Sequence, residues 1–375
     1  MRRLVRLLAA TTLTIGTLGA GTAYAVSRQA PAERSATPAA APAGKLRATP
    51  QQAFVGSQGP EQLKGPNLQP VWDPDGTDTW GEGTYTAISA KGFTSVRFVL
   101  FWDDFEPSKG VWNENAFTTL TTALRRAKAA GLYVVFDGVH LYGQPEGQSR
   151  VPEWARTTDG MGAVAANGLG YLQQLATRYG ASTEFADTVA AYDPVNEPYR
   201  WPVDHRGVLA DYTKIINAIR TKDSATPIMV EPTYGDARVP DADLAALAPA
   251  DRSNLIWSVH DYYAGNDGVG YGDDDVAISP NPSDGTTGYD TADKANLAAH
   301  LQVQLDTASK AGMPLWIGEF GIGSGAAGHD GYIRDKVALY KSKGLGYAWW
   351  EYYDDGTFSM VDENDAWNAW VNLLL

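Results

Sequence analysis

Two glutamates occupy positions at which a carboxylate is costly, and no other residues in the chain say more about its chemistry. Glu197 lies in the stretch YDPVNEP at residues 192–198, and Glu319 lies in WIGEFG at residues 316–321. Each ends an apolar, strand-like run, where a charged side chain is unfavourable unless it is paired or used. Two adjacent carboxyl groups, one acting as acid and base and the other as nucleophile, can cleave a glycosidic bond. We therefore predict that the fold brings the two glutamates into one site.

An arginine inside an apolar run is the second unusual feature. Arg97 lies within SVRFVLFW at residues 95–102. A buried arginine needs a carboxylate partner, and we expect that partner to be Glu319, which Arg97 would keep ionised and oriented. The alternative is structural: Arg97 could form an ion pair elsewhere in the fold, and each glutamate could be a strand-end residue paired with an arginine.

Short apolar runs of β type alternate with helical stretches along the chain, and they predict the elements that must position these residues. The predicted strands cover residues 64–68, 95–102, 132–137, 189–195, 227–230, 255–260, 314–319 and 346–351. The predicted helices cover residues 116–130, 168–179, 207–221, 241–247, 291–311 and 331–342. Such alternation indicates a parallel sheet covered on its outer face. Eight units of this kind predict an α/β fold, a (β/α)8 TIM barrel forming a single catalytic domain. Its active site would lie at the carboxyl ends of the strands, where the two glutamates end the fourth and seventh.

Composition and charge exclude several classes of protein. The formal net charge of −14 argues against nucleic acid or an anionic membrane as a partner. Cysteine is absent, which excludes disulfides, thiol catalysis and thiolate metal sites. The five histidines show no metal-ligand spacing. We therefore expect no cofactor and no metal, and a protein that acts as a monomer on a neutral carbohydrate polymer.

The first residues are typical of an export signal. Three arginines precede an apolar stretch, and the triplet AYA at residues 23–25 matches a cleavage site. The apolar stretch is too short to favour a membrane-spanning helix. We predict a signal peptide over residues 1–25, a disordered Ala- and Pro-rich linker over residues 26–52, and the catalytic domain over residues 53–375. The protein would then be secreted and extracellular, without a stable membrane anchor, by the general route or, given the arginine pair, the twin-arginine route.

Six ordered sequence elements carry a resemblance to a known family. The elements are GFTSVR at residues 92–97, FDGVH at 136–140, NEP at 196–198, HDY at 260–262, GEFG at 318–321 and the tryptophan-rich eighth strand. With these elements, the chain resembles the clan A glycoside hydrolases, and most closely the cellulase-like enzymes of family 5, over residues 65–375. The resemblance implies a secreted, retaining glycosidase that degrades polysaccharide.

The resemblance also implies roles for the two glutamates and their neighbour. Glu197 would be the general acid and base, and Glu319 the nucleophile that forms a glycosyl–enzyme ester. Asn196 would donate to the 2-hydroxyl group of the sugar, a contact that strengthens in the transition state. The structural alternative for Asn196 is a turn-forming residue before Glu-Pro.

Further members of the predicted site come from the same resemblance. His140 resembles the family histidine that contacts the bound sugar, while His260 and Tyr262 match the His-x-Tyr pattern, whose tyrosine can bond the nucleophile. Each could instead be a satisfied core residue. Trp350 would stack on the sugar and Trp349 would point outward, unless the register of the strand is shifted by one residue.

The sequence departs from the family pattern beside the third strand. The family often has a second histidine next to the first, but Val139 and Leu141 flank His140 here. This departure weakens a narrow prediction of substrate. β-Linked glucan of the cellulose or mixed-linkage type is the first candidate, and β-mannan is another.

Two loop segments instead resemble the glycolipid-cleaving, endoglycosylceramidase-like branch of the family. They are WDDFEP at residues 102–107 and VPEWA at residues 151–155. An enzyme of that branch needs an apolar trough for the lipid, which Phe101, Phe105 and Leu141 would help to line. The aromatic residues Trp154, Tyr199 and Trp201 are candidates for further sugar subsites or for loop packing.

Two other classes of protein could share these sequence features. A carbohydrate-binding homologue without catalytic activity would share the barrel, because a fold does not determine a function. Loss of either glutamate would favour that class, but both are present. A metal-dependent hydrolase would need clustered histidine and aspartate at the strand ends, where only His140 and His260 are found.

Overall fold

A closed barrel of parallel strands forms the centre of the computed structural model, which describes residues 44–71, 79–141, 148–200, 202–233, 239–262, 289–353 and 356–375. Eight strands close the barrel, each pairing in parallel with the next and the last with the first. They are β4 (Lys64–Leu68), β5 (Ser95–Val99), β6 (Tyr133–Asp137), β7 (Val189–Asp193), β8 (Ile228–Val230), β9 (Leu255–His260), β10 (Leu315–Phe320) and β11 (Tyr347–Trp349). The predicted TIM barrel is therefore confirmed, as is the position of the two glutamates at the fourth and seventh strands.

Helices follow most of the strands. They are α1 (Glu82–Lys91), α2 (Trp102–Phe105), α3 (Glu114–Ala129), α4 (Gly160–Ala163), α5 (Leu169–Tyr179), α6 (His205–Arg220), α7 (Thr291–Ala311) and α8 (His329–Ser342). Helix α3 shows how the sequence sets such an element: the side chain of Asn113 caps its first turn, and an apolar stripe packs inward.

Two differences from the predicted helices concern residues 241–247 and helix α1. The stretch predicted as a helix over residues 241–247 contains only a 3-10 turn, Leu244–Ala246, because Pro240 and Pro249 confine it to a short interval. Helix α1 was not predicted, because its buried residues Tyr85, Ile88 and Ser89 do not form a clear apolar stripe.

The first barrel strand has a weak sequence signal for a packing reason. Strand β4 reads KGPNL, with a glycine and a proline that seldom occur inside a central strand. A Cβ atom at Gly65 would lie 1.7 Å from the carbonyl oxygen of Ser95 on the next strand. Glycine is therefore required there by close backbone contact, although it makes the segment look less like a strand.

A small antiparallel sheet closes the amino-terminal end of the barrel. Its strands are β1 (Arg47–Thr49), β2 (Gln52–Gly56) and β3 (Gly59–Pro60). Leu46 and Phe54 are buried in one cluster with Met229 and Trp316, which belong to barrel strands. The ring of Phe54 meets that of Trp316 edge to face at 6.1 Å.

This sheet corrects the predicted domain boundary. The linker was predicted to run to residue 52, but Arg47 and Thr49 already pair with β2. The Ala- and Pro-rich composition gave no signal for this short strand, which directly follows Leu46, a residue buried against the barrel. Residues 1–43 lie outside the described part of the chain, so the signal peptide and the rest of the linker stay predictions. Among the described residues, no helix is long and apolar enough to cross a membrane.

Candidate active site

Every strand of the barrel contributes to one polar site at its carboxyl end. Because parallel strands end at the same rim, side chains far apart in sequence meet there. The contributing residues are, in strand order, Asn67, Arg97, Asp137 with His140, Asp193 with Asn196 and Glu197, Glu231, His260 with Tyr262, Glu319, and Trp350. The structure thus brings all eight predicted site residues into one region.

Arg97 is the buried centre of the site. Its Nη1 atom lies 2.8 Å from Glu319 Oε1, so the predicted partner is in contact. Its Nε and Nη2 atoms also donate to Asp193 Oδ2 at 3.1 and 3.0 Å. Burial alone would lower the pKa of Arg97, but Asp137, Asp193, Glu319 and Glu231 together raise it well above its ordinary value. Arg97 is therefore a permanent positive charge shared by several carboxylates.

Two amide side chains complete the shell around the guanidinium. Asn67 Oδ1 and Asn196 Oδ1 accept hydrogen bonds from Arg97 at 2.9 and 3.0 Å. The amide nitrogen of Asn196 donates to the carbonyl oxygen of Leu141 at 3.3 Å, which uses one of its two N–H groups. The orientation of Asn196 is thus fixed from both sides.

Glu319 is buried and held on both oxygens. Oε1 accepts from Arg97, and Oε2 accepts from the hydroxyl group of Tyr262 at 2.9 Å. Burial raises the pKa of Glu319 above its ordinary value, while the positive charges of His260 and Arg97 act in the opposite direction. The carboxylate therefore has a fixed orientation and little contact with water.

Glu197 has a more open environment. Its side chain is 26% exposed, against 5% for that of Glu319. One carboxylate oxygen of Glu197 lies within 4.8 Å of one of Glu319. Retaining glycosidases have carboxyl groups about 5–5.5 Å apart, and inverting enzymes have wider gaps. The two carboxyl groups are therefore close enough to act on the two atoms of one bond, and only that of Glu197 is substantially exposed to solvent.

His260 lies between the acidic side chains. Nδ1 is 2.8 Å from Glu197 Oε1 and 3.4 Å from Glu319 Oε2, while Nε2 is 3.3 Å from Glu231 Oε1. Burial alone would lower the pKa of His260, but these carboxylates raise it well above its ordinary value. The surrounding carboxylates therefore favour the imidazolium form of His260, which has an acidic neighbour near each ring nitrogen.

An aromatic wall forms one side of the site. The ring of Trp350 stacks on that of His140 with centroids 5.4 Å apart and planes 8° from parallel. His140 Nδ1 is bound to Asp137 Oδ2 at 2.5 Å, and its ring edge meets Phe101 at 5.7 Å. Trp349 is instead fully buried, and its indole nitrogen donates to the carbonyl oxygen of Phe358 at 2.9 Å. The predicted register is correct, and Trp350 is the tryptophan on the site side.

Four polar residues of the site were given no role by the sequence reasoning. They are Asn67, Asp137, Asp193 and Glu231. Three of them, the two aspartates and Glu231, end or follow a buried strand, which is the signal that identified the two catalytic candidates. Asn67 follows a glycine and a proline in the weakest strand, so its sequence context offered no comparable signal.

Among the residues that the structure describes, Phe105 and Leu141 do not form the predicted apolar trough. Phe105 is fully buried and packs on Phe117, and Leu141 is 2% exposed, so neither offers an open surface. Phe101 remains half-buried beside His140. The prediction was wrong for Phe105 because it lies in a short helix, α2, that turns it into the core.

The other aromatic candidates lie in different settings. Trp154 is half-buried and packs edge to face on the buried Trp102 at 5.6 Å, so it supports the loop. Tyr199 is half-buried, and its carbonyl oxygen accepts from the amide of Met161. Trp201 lies outside the described residues.

Two groups of side chains within the described residues have donor atoms close enough to hold a metal ion. They are Asp137, His140 and Glu319, and Glu197, His260 and Glu319. Both sets share Glu319, which is bound to the guanidinium of Arg97, and the second set contains the imidazolium of His260. A cation in either place would meet these positive charges, so the electrostatics favour the ion pairs.

Comparison with known proteins agrees with this geometry. The family model Cellulase (glycosyl hydrolase family 5) matches residues 55–356. No curated protein gives a significant match. The chain is similar to a crystal structure of endogalactoceramidase, with a TM-score of 0.62, 22% identity and coverage of 83% of this chain and 75% of that one.

Two further solved structures have similar scores. A lactosyl–enzyme intermediate of endo-glycoceramidase II from Rhodococcus sp. has a TM-score of 0.63 and 21% identity, with 85% of this chain and 80% of that one covered. Cel5A of Thermotoga maritima with mannotriose has a TM-score of 0.62 and 19% identity, with 84% and 97% covered. At such identities, these likenesses establish the barrel fold alone.

Proposed function

The chain belongs to glycosyl hydrolase family 5, and from that premise we propose that it cleaves β-glycosidic bonds with retention of configuration. The observation that carries the proposal is the pair Glu197 and Glu319, whose carboxylate oxygens come within 4.8 Å in unlike surroundings. One carboxyl group is accessible and can exchange a proton. The other is buried and oriented by Arg97 and Tyr262.

The first step forms a covalent intermediate. Glu319 attacks the anomeric carbon while Glu197 gives its proton to the glycosidic oxygen, so that the bond to the leaving group breaks and an alcohol departs. Arg97 and Tyr262 hold the nucleophile in the attacking orientation. The solved neighbour from Rhodococcus, described as a lactosyl–enzyme intermediate, illustrates this type of ester in the same fold.

The second step returns the enzyme to its starting state. Glu197, now a carboxylate, takes a proton from water, and the water oxygen attacks the anomeric carbon as the bond to Glu319 breaks. Two inversions give net retention. Asn196 would hold the 2-hydroxyl group with its second amide N–H, and Trp350 would stack on the sugar face.

The substrate that we propose first is a neutral β-linked glucan. Aromatic faces bind the C–H faces of sugars, and the wall of Trp350 and His140 offers such a surface. Among the similar solved structures, Cel5A of Thermotoga maritima is found in complex with cellobiose and with mannotriose. β-Mannan is therefore the second polysaccharide to test.

A glycolipid is a second candidate for a specific reason. The two segments that resemble the glycolipid-cleaving branch interlock: the indole nitrogens of Trp102 and Trp154 donate to the side chain and carbonyl oxygen of Glu106 at 2.8 and 3.1 Å. Two of the similar solved structures are those of an endogalactoceramidase and of endo-glycoceramidase II from Rhodococcus sp.. Against this candidate, Phe105 and Leu141 are unavailable to line a lipid trough.

Two measurements test the function. An NMR time course of freshly released sugar should show the anomeric configuration of the substrate, and an inverted first product would reject the two-step mechanism. Reducing-sugar release from β-glucans, mannan and a glycosphingolipid identifies the substrate. Activity confined to the glycolipid would replace the glucan proposal and leave the mechanism intact.

We also propose that the protein is exported. The support is the sequence of residues 1–25, with its basic start, apolar middle and AYA cleavage site. Mass spectrometry of protein from the culture medium should find a mature amino terminus next to Ala25. Retention of the intact first residues inside the cell would reject the proposal.

A further inference from the structure

Glu231 is a buried carboxylate that the two-step mechanism does not use. It directly follows β8, between the strand that leads to Glu197 and the strand that carries His260. It is 2% exposed, a position at which an acidic side chain is rare without a specific partner. Its neighbours are the residues that handle the proton in the proposed reaction.

The first contact of Glu231 is with the backbone of Glu197. Oε2 accepts a hydrogen bond from the Glu197 amide at 2.8 Å. Glu197 has a φ angle of 43°, a left-handed conformation that residues other than glycine seldom adopt. A hydrogen bond to a charged acceptor is short and strong, and it stabilises this conformation. The bond therefore sets the direction in which the Glu197 side chain leaves the backbone.

The second contact is with His260. Glu231 Oε1 lies 3.3 Å from Nε2 of His260, while Nδ1 of the same ring is bound to Glu197 Oε1 at 2.8 Å. With a carboxylate close to each ring nitrogen, the orientation and the charged form of the ring are both favoured. Glu231 thus also acts on the carboxyl group of Glu197 through the imidazolium.

Glu231 is itself held in place. Its amide donates to the hydroxyl oxygen of Tyr212 at 3.1 Å, and that hydroxyl group donates to the carbonyl oxygen of Val195 at 3.1 Å. The segments after β7 and β8 are therefore tied together by one buried tyrosine. This second tie keeps Glu231 and Glu197 at a fixed separation.

From these contacts we propose that Glu231 is a positioning residue, which fixes both the backbone and the carboxyl group of the acid/base Glu197. The inference rests on the proposed function of Glu197. Glu231 is also 3.4 Å from Arg97 Nη2, and a residue that only neutralised Arg97 would affect the nucleophile as much as the acid. The two roles therefore predict different kinetics.

The test compares two aryl β-glycosides of the sugar that the wild-type protein releases. A dinitrophenyl group leaves without a proton, whereas a phenyl group needs one from Glu197. For Glu231→Gln, we expect kcat/KM to fall about 10- to 100-fold on the phenyl substrate and less than about threefold on the dinitrophenyl substrate. The ratio of the two values, measured on one preparation, does not depend on the fraction of folded enzyme.

Asp223→Asn is the matched control. Asp223 is a buried carboxylate before β8, at the other end of the strand, and it accepts from the hydroxyl group of Tyr192 at 2.9 Å. The control makes the same chemical change, from a carboxylate to an amide. It should change kcat/KM by the same factor on both substrates. If Glu231→Gln gives too little folded protein, Glu231→Asp, which withdraws the carboxylate by one methylene group, is measured in the same way.

The outcomes separate this inference from the function on which it rests. A wild-type protein that releases no sugar, or that inverts configuration, overturns the proposed function and the inference with it. If the wild-type protein is active and retaining, but the Glu231 variant lowers kcat/KM equally on both substrates, the inference alone is overturned. A selective loss on the phenyl substrate supports it.

Discussion

The two ends of the barrel are built from the same eight strands but from opposite kinds of residue. At the carboxyl end, Arg97 is surrounded by buried carboxylates and amides. At the amino end, Leu46 and Phe54 pack against Trp316 and Met229 in an apolar cluster. The same set of strands therefore carries a polar site at one end and an apolar cluster at the other. The fold thus provides the positions, and the strand-end residues provide the chemistry.

The contrast also separates stability from function. Burying many charges at one end is unfavourable unless each is paired, and the contacts of Arg97 meet that requirement. The apolar end carries no such constraint and contributes through burial and packing. We therefore expect substitutions at the carboxyl end to change activity far more than stability, and substitutions at the amino end to do the reverse.

The largest effect is expected for Glu319, the proposed nucleophile. Glu319→Ala should lower turnover by about 10⁴-fold or more, because no other group can form the glycosyl ester. Azide should partly restore activity on an activated aryl glycoside by entering the space of the lost carboxylate, and the glycosyl azide should have inverted configuration. Product NMR measures this. A retained azide product would show that the roles of the two glutamates have been exchanged.

A smaller but still large effect is expected for Glu197, the proposed acid and base. Glu197→Ala should reduce turnover by about 10²- to 10⁴-fold. With an activated aryl glycoside, the covalent intermediate should still form, since the leaving group needs no proton, and it should then be released slowly. Intact-protein mass spectrometry with a burst experiment detects it. Absence of any burst together with normal folding would contradict the assignment.

A substitution at the amino end of the barrel should lower the stability of the protein and leave its activity almost unchanged. Phe54→Ala removes a ring that packs on Trp316, and we expect the free energy of unfolding to fall by about 3–5 kcal/mol. Below the new unfolding transition, kcat/KM should remain close to the wild-type value. Denaturant unfolding and initial-rate kinetics on one preparation measure both quantities. A large loss of kcat/KM in the folded variant would mean that the two ends are coupled.

Much of the barrel could be predicted because most of its strands consist mainly of apolar residues. Strands β5, β6 and β7 are buried at every residue, so they read as continuous apolar runs, and a charge at the end of a run marks the catalytic rim. The same signal was present at Glu231, which follows Ile228–Val230. No role was predicted for Glu231, because none of the six sequence elements that carry the family resemblance includes this strand.

The parts that sequence reasoning missed depend on tertiary contacts. The direction of Phe105 depends on helix α2, four residues long, and no periodicity is readable over that length. Strand β4 is obscured by Gly65, which is needed for close approach to Ser95. The partners of Arg97 other than Glu319 come from several strands, and only the closed barrel brings them together.

The positions of Gly44 and Leu374 have a practical consequence. The carbonyl oxygen of Gly44 accepts from Tyr133, and the carbonyl oxygen of Leu374 accepts from Tyr347, each tyrosine being the first residue of its strand. Gly44 and Leu374 therefore lie at the amino-terminal end of the barrel, opposite the candidate site. A resin or carrier protein attached next to either residue would leave the candidate site facing outward, free to meet an insoluble polymer.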